Sequence, residues 1–270
     1  MFCLTLASCY LVSMALERRG AAIPSGPKFV VYSASAVGND VLPPLKELEG
    51  FNVLYVSFAP SVSSLVLTLA PARNLGFLQC DGAHDQAQNW ANLSASQREK
   101  LKEQYNHAGV SLVVTAFGAN DLPATAGRDP TSAAESMAQF VQGNHLDGID
   151  VDYEEVKLMQ DKSGAAEEWV STFTQALRSH LPKGQFVLTH TRMSLCSTIR
   201  VGLILTRHIS CFLWEAIAPW FDSKFCPGGG YLAIHKKVGG LIDWVRTIIS
   251  FAVYDTCSIC HCLPVQPPVL

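Results

Sequence analysis

The stretch His145-Leu146-Asp147-Gly148-Ile149-Asp150-Val151-Asp152-Tyr153-Glu154 decides how the rest of this chain is interpreted. Residues two apart in a β-strand share a face, so Asp150, Asp152 and Glu154 are predicted to line one side of a strand. We call these three residues the acid row. Repulsion and burial raise the pKa of at least one such carboxylate, which can then protonate a leaving group near neutral pH. Glu154, at the C-terminal end of the predicted strand, is best placed to do so.

Two other interpretations of the acid row stay open at this stage. The acids could lie on a solvent-facing edge strand. They could also form a divalent-cation site built from hard oxygen ligands. A cation-binding α/β domain of that kind would show metal-dependent thermal stabilisation.

Outward from this stretch, short apolar runs alternate with amphipathic stretches from Lys28 onward, which is typical of β/α units around a parallel sheet. Five strands are predicted, at residues 29–32, 52–58, 112–117, 146–153 and 186–189. Helices are predicted to start at a capping box at 96–99, at an Asp129 cap followed by Pro130, and before a helical apolar pattern over 166–177. This order fits either a (β/α)8 barrel or a doubly wound sheet.

The composition fits one sizeable globular domain. The 270 residues are 49% hydrophobic and 16% charged, and the formal net charge is -3. Such a chain can bury a large core, and it lacks the basic excess that nucleic-acid binding requires. No later uncharged apolar run reaches the length of a membrane span. We therefore expect a neutral ligand, with neither nucleic acid nor membrane as a partner.

The N-terminus favours export from the cell. Residues 1–15 carry no charge, are mostly apolar, and place Ser13 and Ala15 where a signal peptidase prefers small side chains. They predict a signal peptide and a secreted, extracellular protein, although a positively charged start is missing and a buried segment is the alternative. Asn92-Leu93-Ser94 is a glycosylation sequon that matters only in an exported chain.

Three blocks, at residues 59–79, 191–214 and 245–270, differ from the rest of the sequence. Together they contain a single acidic residue, Asp255, and they lack clean helical or alternating periodicity. They are either ordinary loops and buried segments or sequence foreign to the parent fold, such as translated intron. Because nothing after Trp244 continues the β/α pattern, we expect an incomplete barrel, an atypical tail over 245–270 and a poor enzyme.

The pattern DxxDxDxE, formed by Asp147 and the acid row, resembles the motif on the fourth barrel strand of glycoside hydrolase family 18. The third-strand motif of that family, SxGG, is matched loosely by residues 116–119. The chain is similar to fungal secreted members of the chitinase and endo-β-N-acetylglucosaminidase kind over residues 29–58, 81–190 and 216–244. This resemblance places a catalytic domain at 28–244.

The resemblance implies a TIM barrel that cleaves β-1,4 linkages next to N-acetylglucosamine, in chitin or in the chitobiose core of N-glycans. Retention would be assisted by the substrate, whose acetamide oxygen attacks C1, so neither a protein nucleophile nor a metal or other cofactor is needed. Glu154 would act as acid and then as base, and Asp152 would orient the acetamide. Asp150 and Asp147 would support Asp152.

The same resemblance suggests residues that contact the substrate. They are Gly118 in the third-strand motif, His190 at the end of the fifth strand, and Tyr254 with Asp255, which could mimic a tyrosine and acid on the sixth strand. A lectin-like carbohydrate-binding relative without turnover is the alternative function. The presence of Glu154 favours the enzyme, because such relatives usually lose that acid.

Overall fold

A computed structural model of the chain describes residues 24, 26–33, 41–56, 78–118, 121–193 and 226–248. Six parallel strands of a curled sheet lie in the order β1-β2-β5-β6-β7-β8. Their bounds are β1 Val30–Ser33, β2 Val53–Val56, β5 Ser111–Phe117, β6 Gly148–Asp152, β7 Val187–Met193 and β8 Trp244–Ile248. A short hairpin of β3 (Leu78–Gln79) and β4 (Gly82–Ala83) joins the sheet at β5.

This strand order separates the two predicted architectures. In a doubly wound sheet the order reverses at a switch point. Here each main strand lies beside the next one along the chain, with the hairpin as the exception. The described strands therefore form a curled, incomplete (β/α)8 barrel, as predicted.

Helices follow the strands on the outside of the sheet. They are α1 Asp85–Asn92, α2 Ala95–His107, α3 Pro130–Gly143, α4 Val156–Met159, α5 Ala165–His180 and α6 Gly230–Val238, with 3-10 turns at Leu45–Leu48 and Gly239–Leu241. Across the part of the chain that the structure describes, none of these helices has the length and apolar character to cross a membrane.

The three predicted helices are present, and only the residues of one predicted cap are wrong. The carboxylate of Asp129 accepts the backbone N–H of Ser132 at 2.8 Å, and α3 begins at the following proline. The capping box does not lie at 96–99. It is formed by Ser94 and Gln97, because Gln97 can also close a box and its side chain accepts the backbone N–H of Ser94 at 2.9 Å.

Alternation along the strands creates two apolar layers. Outward-facing residues such as Ile149, Val151 and Tyr153 join the main core between the sheet and the helices. A smaller cluster fills the barrel interior and consists of Val30, Val53, Tyr55, Val113 and Val187, with Trp244 packed against it. The acids of β6 lie on its interior side, which is the same side of the sheet as the smaller cluster.

Asp147 ties β6 to β5 at the N-terminal ends of both strands. Its backbone N–H donates to the carbonyl of Leu112 at 2.8 Å, and its carboxylate accepts the N–H of Leu112 at 2.8 Å. The ammonium of Lys102, on α2, pairs with the same carboxylate. We call this arrangement a strand-pair clamp: an Asp or Asn that directly precedes a strand binds the backbone of the preceding strand through both its main chain and its side chain.

The strand-pair clamp occurs twice more in the described residues. Asp243, before β8, binds both backbone groups of Leu188 at 2.8 Å and pairs with Arg178 on α5 at 2.7 Å. Asn52, before β2, binds the N–H and the carbonyl of Phe29, the residue directly before β1, at 2.8 and 2.9 Å. Both clamped acids, Asp147 and Asp243, therefore draw their cation from the helix that precedes the first strand of the pair.

Two strands extend into the blocks that the sequence sets apart. β7 continues to Met193, and β8 starts at Trp244 and pairs with β7 in parallel up to Ile248. The prediction that the β/α pattern stops at Trp244 is therefore wrong for these residues. Most of the three blocks, and the predicted signal peptide, lie outside the described residues.

Candidate active site

The acid row lies in the middle of the sheet, on the interior side of β6. β5 and β7 flank β6 on its two sides, so the interpretation as a solvent-facing edge strand is wrong. Asp150 is fully buried and Asp152 is only 3% exposed, whereas Glu154 is half-buried just beyond the end of the strand. Of the three acids, Glu154 is the one that solvent and a ligand can reach.

Asp150 is held by two hydroxyl groups of β7. Thr189 donates to one carboxylate oxygen at 2.5 Å and Thr191 donates to the other at 2.7 Å. Both threonines are fully buried. Sequence reasoning missed these residues, although threonines two apart at the register of Asp150 and Asp152 share their face of the sheet.

The side chains of Asp152 and Glu154 are close enough to hydrogen-bond to each other. Burial, and then the negative charges of Glu154 and Asp150, raise the pKa of Asp152 well above its ordinary value. Burial also raises the pKa of Glu154, while the hydrogen bond from Asp152 opposes that rise. The second oxygen of Asp152, Oδ1, is buried with no hydrogen-bond partner among the described residues. The two carboxyl groups therefore titrate together, with the pKa of each raised above its ordinary value.

Glu155, which follows the last acid of the row, anchors the turn that carries it. Its buried carboxylate accepts the backbone N–H groups of Ala124 and Thr125 at 2.6 and 2.9 Å, and the hydroxyl of Thr125. The turn after β6 is thereby fixed to the segment that follows β5. The sequence signal for this role was weak, since a fifth acid directly after the motif is typical of a surface residue.

At the end of β5, the ring of Phe117 is kept out of the interior beside Asp152. Phe117 and Gly118 both have left-handed backbone conformations, with φ of 74° and 77°. Strand alternation would direct the ring of Phe117 into the interior, but it packs outside, at 5.6 Å from Trp169 and 4.9 Å from Phe173. The N–H of Gly118 donates to the carbonyl of Asp152 at 2.9 Å. Gly118 therefore lies beside the acid row and contacts the backbone of Asp152.

Asp147 does not lie near the acid row. It precedes β6, five residues before Asp152, which is roughly 16 Å along the strand at about 3.3 Å per residue. Its carboxylate is paired with Lys102. The expected electrostatic support of Asp152 by Asp147 is therefore corrected: its contacts hold the two strands together.

His190 faces away from the barrel interior. Its Nε2 atom lies 3.1 Å from the hydroxyl of Thr174 on α5, and its ring meets the edge of Tyr231 at 6.0 Å. Complete burial lowers the pKa of His190 to about 3, so the ring is neutral. The predicted contact with substrate is corrected, because residues 189 and 191 take the interior side and residue 190 must take the other.

Tyr254 and Asp255 lie outside the described residues, and β8 as described ends at Ile248. Within the described ranges, no group of three or more His, Cys, Asp or Glu side chains is placed to hold a metal ion. The cation-binding interpretation thus has no ligand set in that part of the chain.

Comparison with known proteins gives matches among solved structures. No family model matches the chain, and no curated protein matches it. A glycoside hydrolase family 18 (GH18) chitinase from Pseudoalteromonas aurantia is 21% identical, with a TM-score of 0.51 over 81% of this chain and 65% of that one. A GH18 chitinase from Chromobacterium violaceum is 12% identical, with a TM-score of 0.48 over 82% of this chain and 49% of that one.

A mutant class V chitinase from Nicotiana tobaccum, in complex with NAG4, is also 12% identical, with a TM-score of 0.45 over 83% of this chain and 52% of that one. The first of the three matches carries the assignment: the fold is that of a GH18 chitinase barrel. The chain spans about 65% of the length of that structure.

Proposed function

We propose that this chain, which has the fold of a GH18 chitinase barrel, is a glycosidase that cleaves β-1,4 linkages next to N-acetylglucosamine with retention of configuration. One observation carries the proposal. A buried Asp152 is hydrogen-bonded to a half-buried Glu154 at the C-terminal end of a barrel strand. Active sites of TIM barrels lie at that end of the strands.

Each acid has a different task in the proposed reaction. Glu154 donates its proton to the glycosidic oxygen while the acetamide oxygen of the sugar in subsite -1 attacks C1. The bond from C1 to the leaving oxygen breaks, and an oxazolinium ion forms. Asp152 orients the acetamide and balances the positive charge. The Glu154 carboxylate then takes a proton from water, whose oxygen attacks C1 and restores the acetamide.

Chitin oligosaccharides are the first substrates to test, because the P. aurantia protein is a chitinase. The chitobiose core of N-glycans contains the same β-1,4 linkage and is the second. The two choices differ in what lies beyond the cleaved disaccharide, so a chitooligosaccharide and a high-mannose glycopeptide distinguish them.

The central experiment compares Glu154→Gln with Glu168→Gln, which changes an exposed glutamate of α5 that pairs with Lys237. We expect Glu154→Gln to lower kcat by at least ~100-fold, since a positioned general acid contributes that much. The kcat of Glu168→Gln should equal that of the wild-type chain, and both variants should still bind the oligosaccharide. Near-normal turnover in Glu154→Gln would refute the assignment of the acid.

The acetamide requirement is tested with a glucosamine oligomer of equal length, which lacks the attacking oxygen. We expect no cleavage of that oligomer by the wild-type chain. A wild-type chain that binds the acetylated oligomer but cleaves neither substrate would be the lectin-like relative, and the enzyme proposal would fail.

We also propose that the protein is exported. Asn92 of the sequon is exposed at the end of α1, where an oligosaccharide could be attached. Expression in a secretory host should yield protein in the culture medium. Its electrophoretic mobility should rise after treatment with a glycan-removing enzyme. Asn92→Gln should abolish that shift, and retention of all protein in the cytosol would contradict export.

A further inference from the structure

A chain of hydrogen-bond donors crosses the barrel interior and ends at Asp150. The indole N–H of Trp244 on β8 donates to the hydroxyl oxygen of Tyr55 on β2 at 3.2 Å. That hydroxyl lies 2.8 Å from Oγ1 of Thr189, and Thr189 donates to Asp150 at 2.5 Å. Side chains from β8, β2 and β7 thus form a hydrogen-bond chain that ends at one carboxylate.

The direction of this chain follows from the number of hydrogens available. The single hydroxyl hydrogen of Thr189 is used on Asp150, so Tyr55 must donate to Thr189. The indole nitrogen of Trp244 can only donate, and it occupies an acceptor site of Tyr55. Every hydrogen in the chain therefore points toward Asp150, while Thr191 supplies a second donor to the other carboxylate oxygen at 2.7 Å.

The network is shielded from water. Tyr55, Asp150, Thr189 and Thr191 are all fully buried. Hydrogen bonds gain strength in such a low-dielectric interior, and donors aimed at a carboxylate favour its ionised form.

We propose that Thr189 and Thr191 are positioning residues that hold Asp150 as an acceptor-only carboxylate, so that the proton of the acid row stays on Asp152 and Glu154. The consequence for catalysis rests on the proposed function; the state of Asp150 does not. If Asp150 took up the proton, the Asp152–Glu154 pair would lose the acid that the reaction consumes and regenerates.

The groups that face Asp150 come from four strands. The titratable ones among the described side chains are Asp152 and Glu154 near it on the chain and Tyr55 on β2. β5 and β7 contribute neutral hydroxyls. Variants that change one hydroxyl keep all these charges constant.

Thr115 supplies a matched control. It lies on β5, directly opposite Asp150 in the strand register, and it is fully buried. Its hydroxyl has no hydrogen-bond partner among the described residues. Thr115→Val therefore makes the same chemical change in the same layer without removing a donor from Asp150.

The experiment compares Thr189→Val, Thr191→Val and Thr115→Val with the serine variants at 189 and 191. We expect Thr191→Val to move both limbs of the pH profile of kcat/KM upward by about one pH unit, the value of a hydrogen bond to a charged group. The serine variants should restore the wild-type profile, and Thr115→Val should leave it unchanged. Tyr55→Phe, which removes a donor one step farther away, should give a smaller shift in the same direction.

A second measurement does not depend on turnover. In protein with 13C-labelled aspartate carboxyl groups, the NMR titration of Asp150 should move to higher pH in Thr191→Val but not in Thr115→Val. This result would support the proposal even if the wild-type chain hydrolyses no substrate. Equal shifts in the two variants, or no rescue by serine, would overturn it. If a valine variant fails to fold, Tyr55→Phe decides through the same titration.

Discussion

The two ends of β6 treat the same functional group in opposite ways. At the N-terminal end, the carboxylate of Asp147 is buried but paired with Lys102 and with the backbone N–H of Leu112. At the C-terminal end, Asp152 is buried beside two other acids, and one of its oxygens lacks a partner among the described residues. The first end stabilises the fold, while the second retains unfavourable electrostatics that chemistry can use.

The largest expected effect comes from removing the paired carboxylate at the N-terminal end of β6. Asp147→Ala should lower the free energy of unfolding by about 3–4 kcal/mol, because it leaves Lys102 with an uncompensated buried charge and Leu112 with an unpaired N–H. Denaturant unfolding measures this loss. The double variant Lys102→Met/Asp147→Leu should recover most of it, and a double variant as unstable as Asp147→Ala would show that the charge is not the cause.

Glu155→Gln sharpens the comparison, because Glu155 adjoins the acid row yet is paired like Asp147. The amide retains one acceptor oxygen for the three donors of Ala124 and Thr125. We expect a loss of roughly 2 kcal/mol in unfolding free energy and a fall in kcat, since the turn that carries Glu154 is released. If Glu155→Gln were as stable as wild type, the contribution of each acid to stability would depend on its distance from the acid row and not on its hydrogen-bond partners.

Asp152→Asn should raise the free energy of unfolding, and this change should be the smallest of the three. The pKa of Asp152 is raised above its ordinary value of 3.8 in the folded protein. The unfolded chain therefore ionises first, and the folded state loses stability as pH rises from 3.8 toward the raised pKa. Asparagine removes this penalty.

We expect Asp152→Asn to gain roughly 1–2 kcal/mol at neutral pH and nothing near pH 3, while hydrolysis is lost. Melting temperatures across this pH range, measured beside Asp147→Ala, test the sign. Destabilisation by Asp152→Asn at neutral pH would remove the contrast between the two ends of β6.

The comparison also explains what the sequence could predict. The alternation of acids with Ile149, Val151 and Tyr153 assigned the two faces of β6, because a strand with one apolar and one charged face has only one sensible orientation. His190 was misplaced for the converse reason: its neighbours in β7 include apolar and polar residues on both sides, so the pattern does not mark a face.

Long-range contacts account for the other misses. Glu155 is defined by two backbone N–H groups some 30 residues earlier in the chain, at Ala124 and Thr125. Thr189 and Thr191 gain a role only because β7 lies beside β6 in one particular register. Local periodicity carries no information on either. Asp129, whose partner Ser132 is three residues away, was predicted correctly.

The strand-pair clamps have a consequence for how this protein could be divided and reassembled. Arg178 on α5 and Asp243 before β8 belong to one clamp, whereas Lys102 and Asp147 belong to the previous one. A break in the turn at residues 160–164 leaves both clamps whole, and a break at residues 182–185 separates the arginine from its aspartate. Fragments split at the first position should complement each other into a native complex, since each carries intact modules of paired strands, whereas the second split leaves two buried ions without partners until the halves meet.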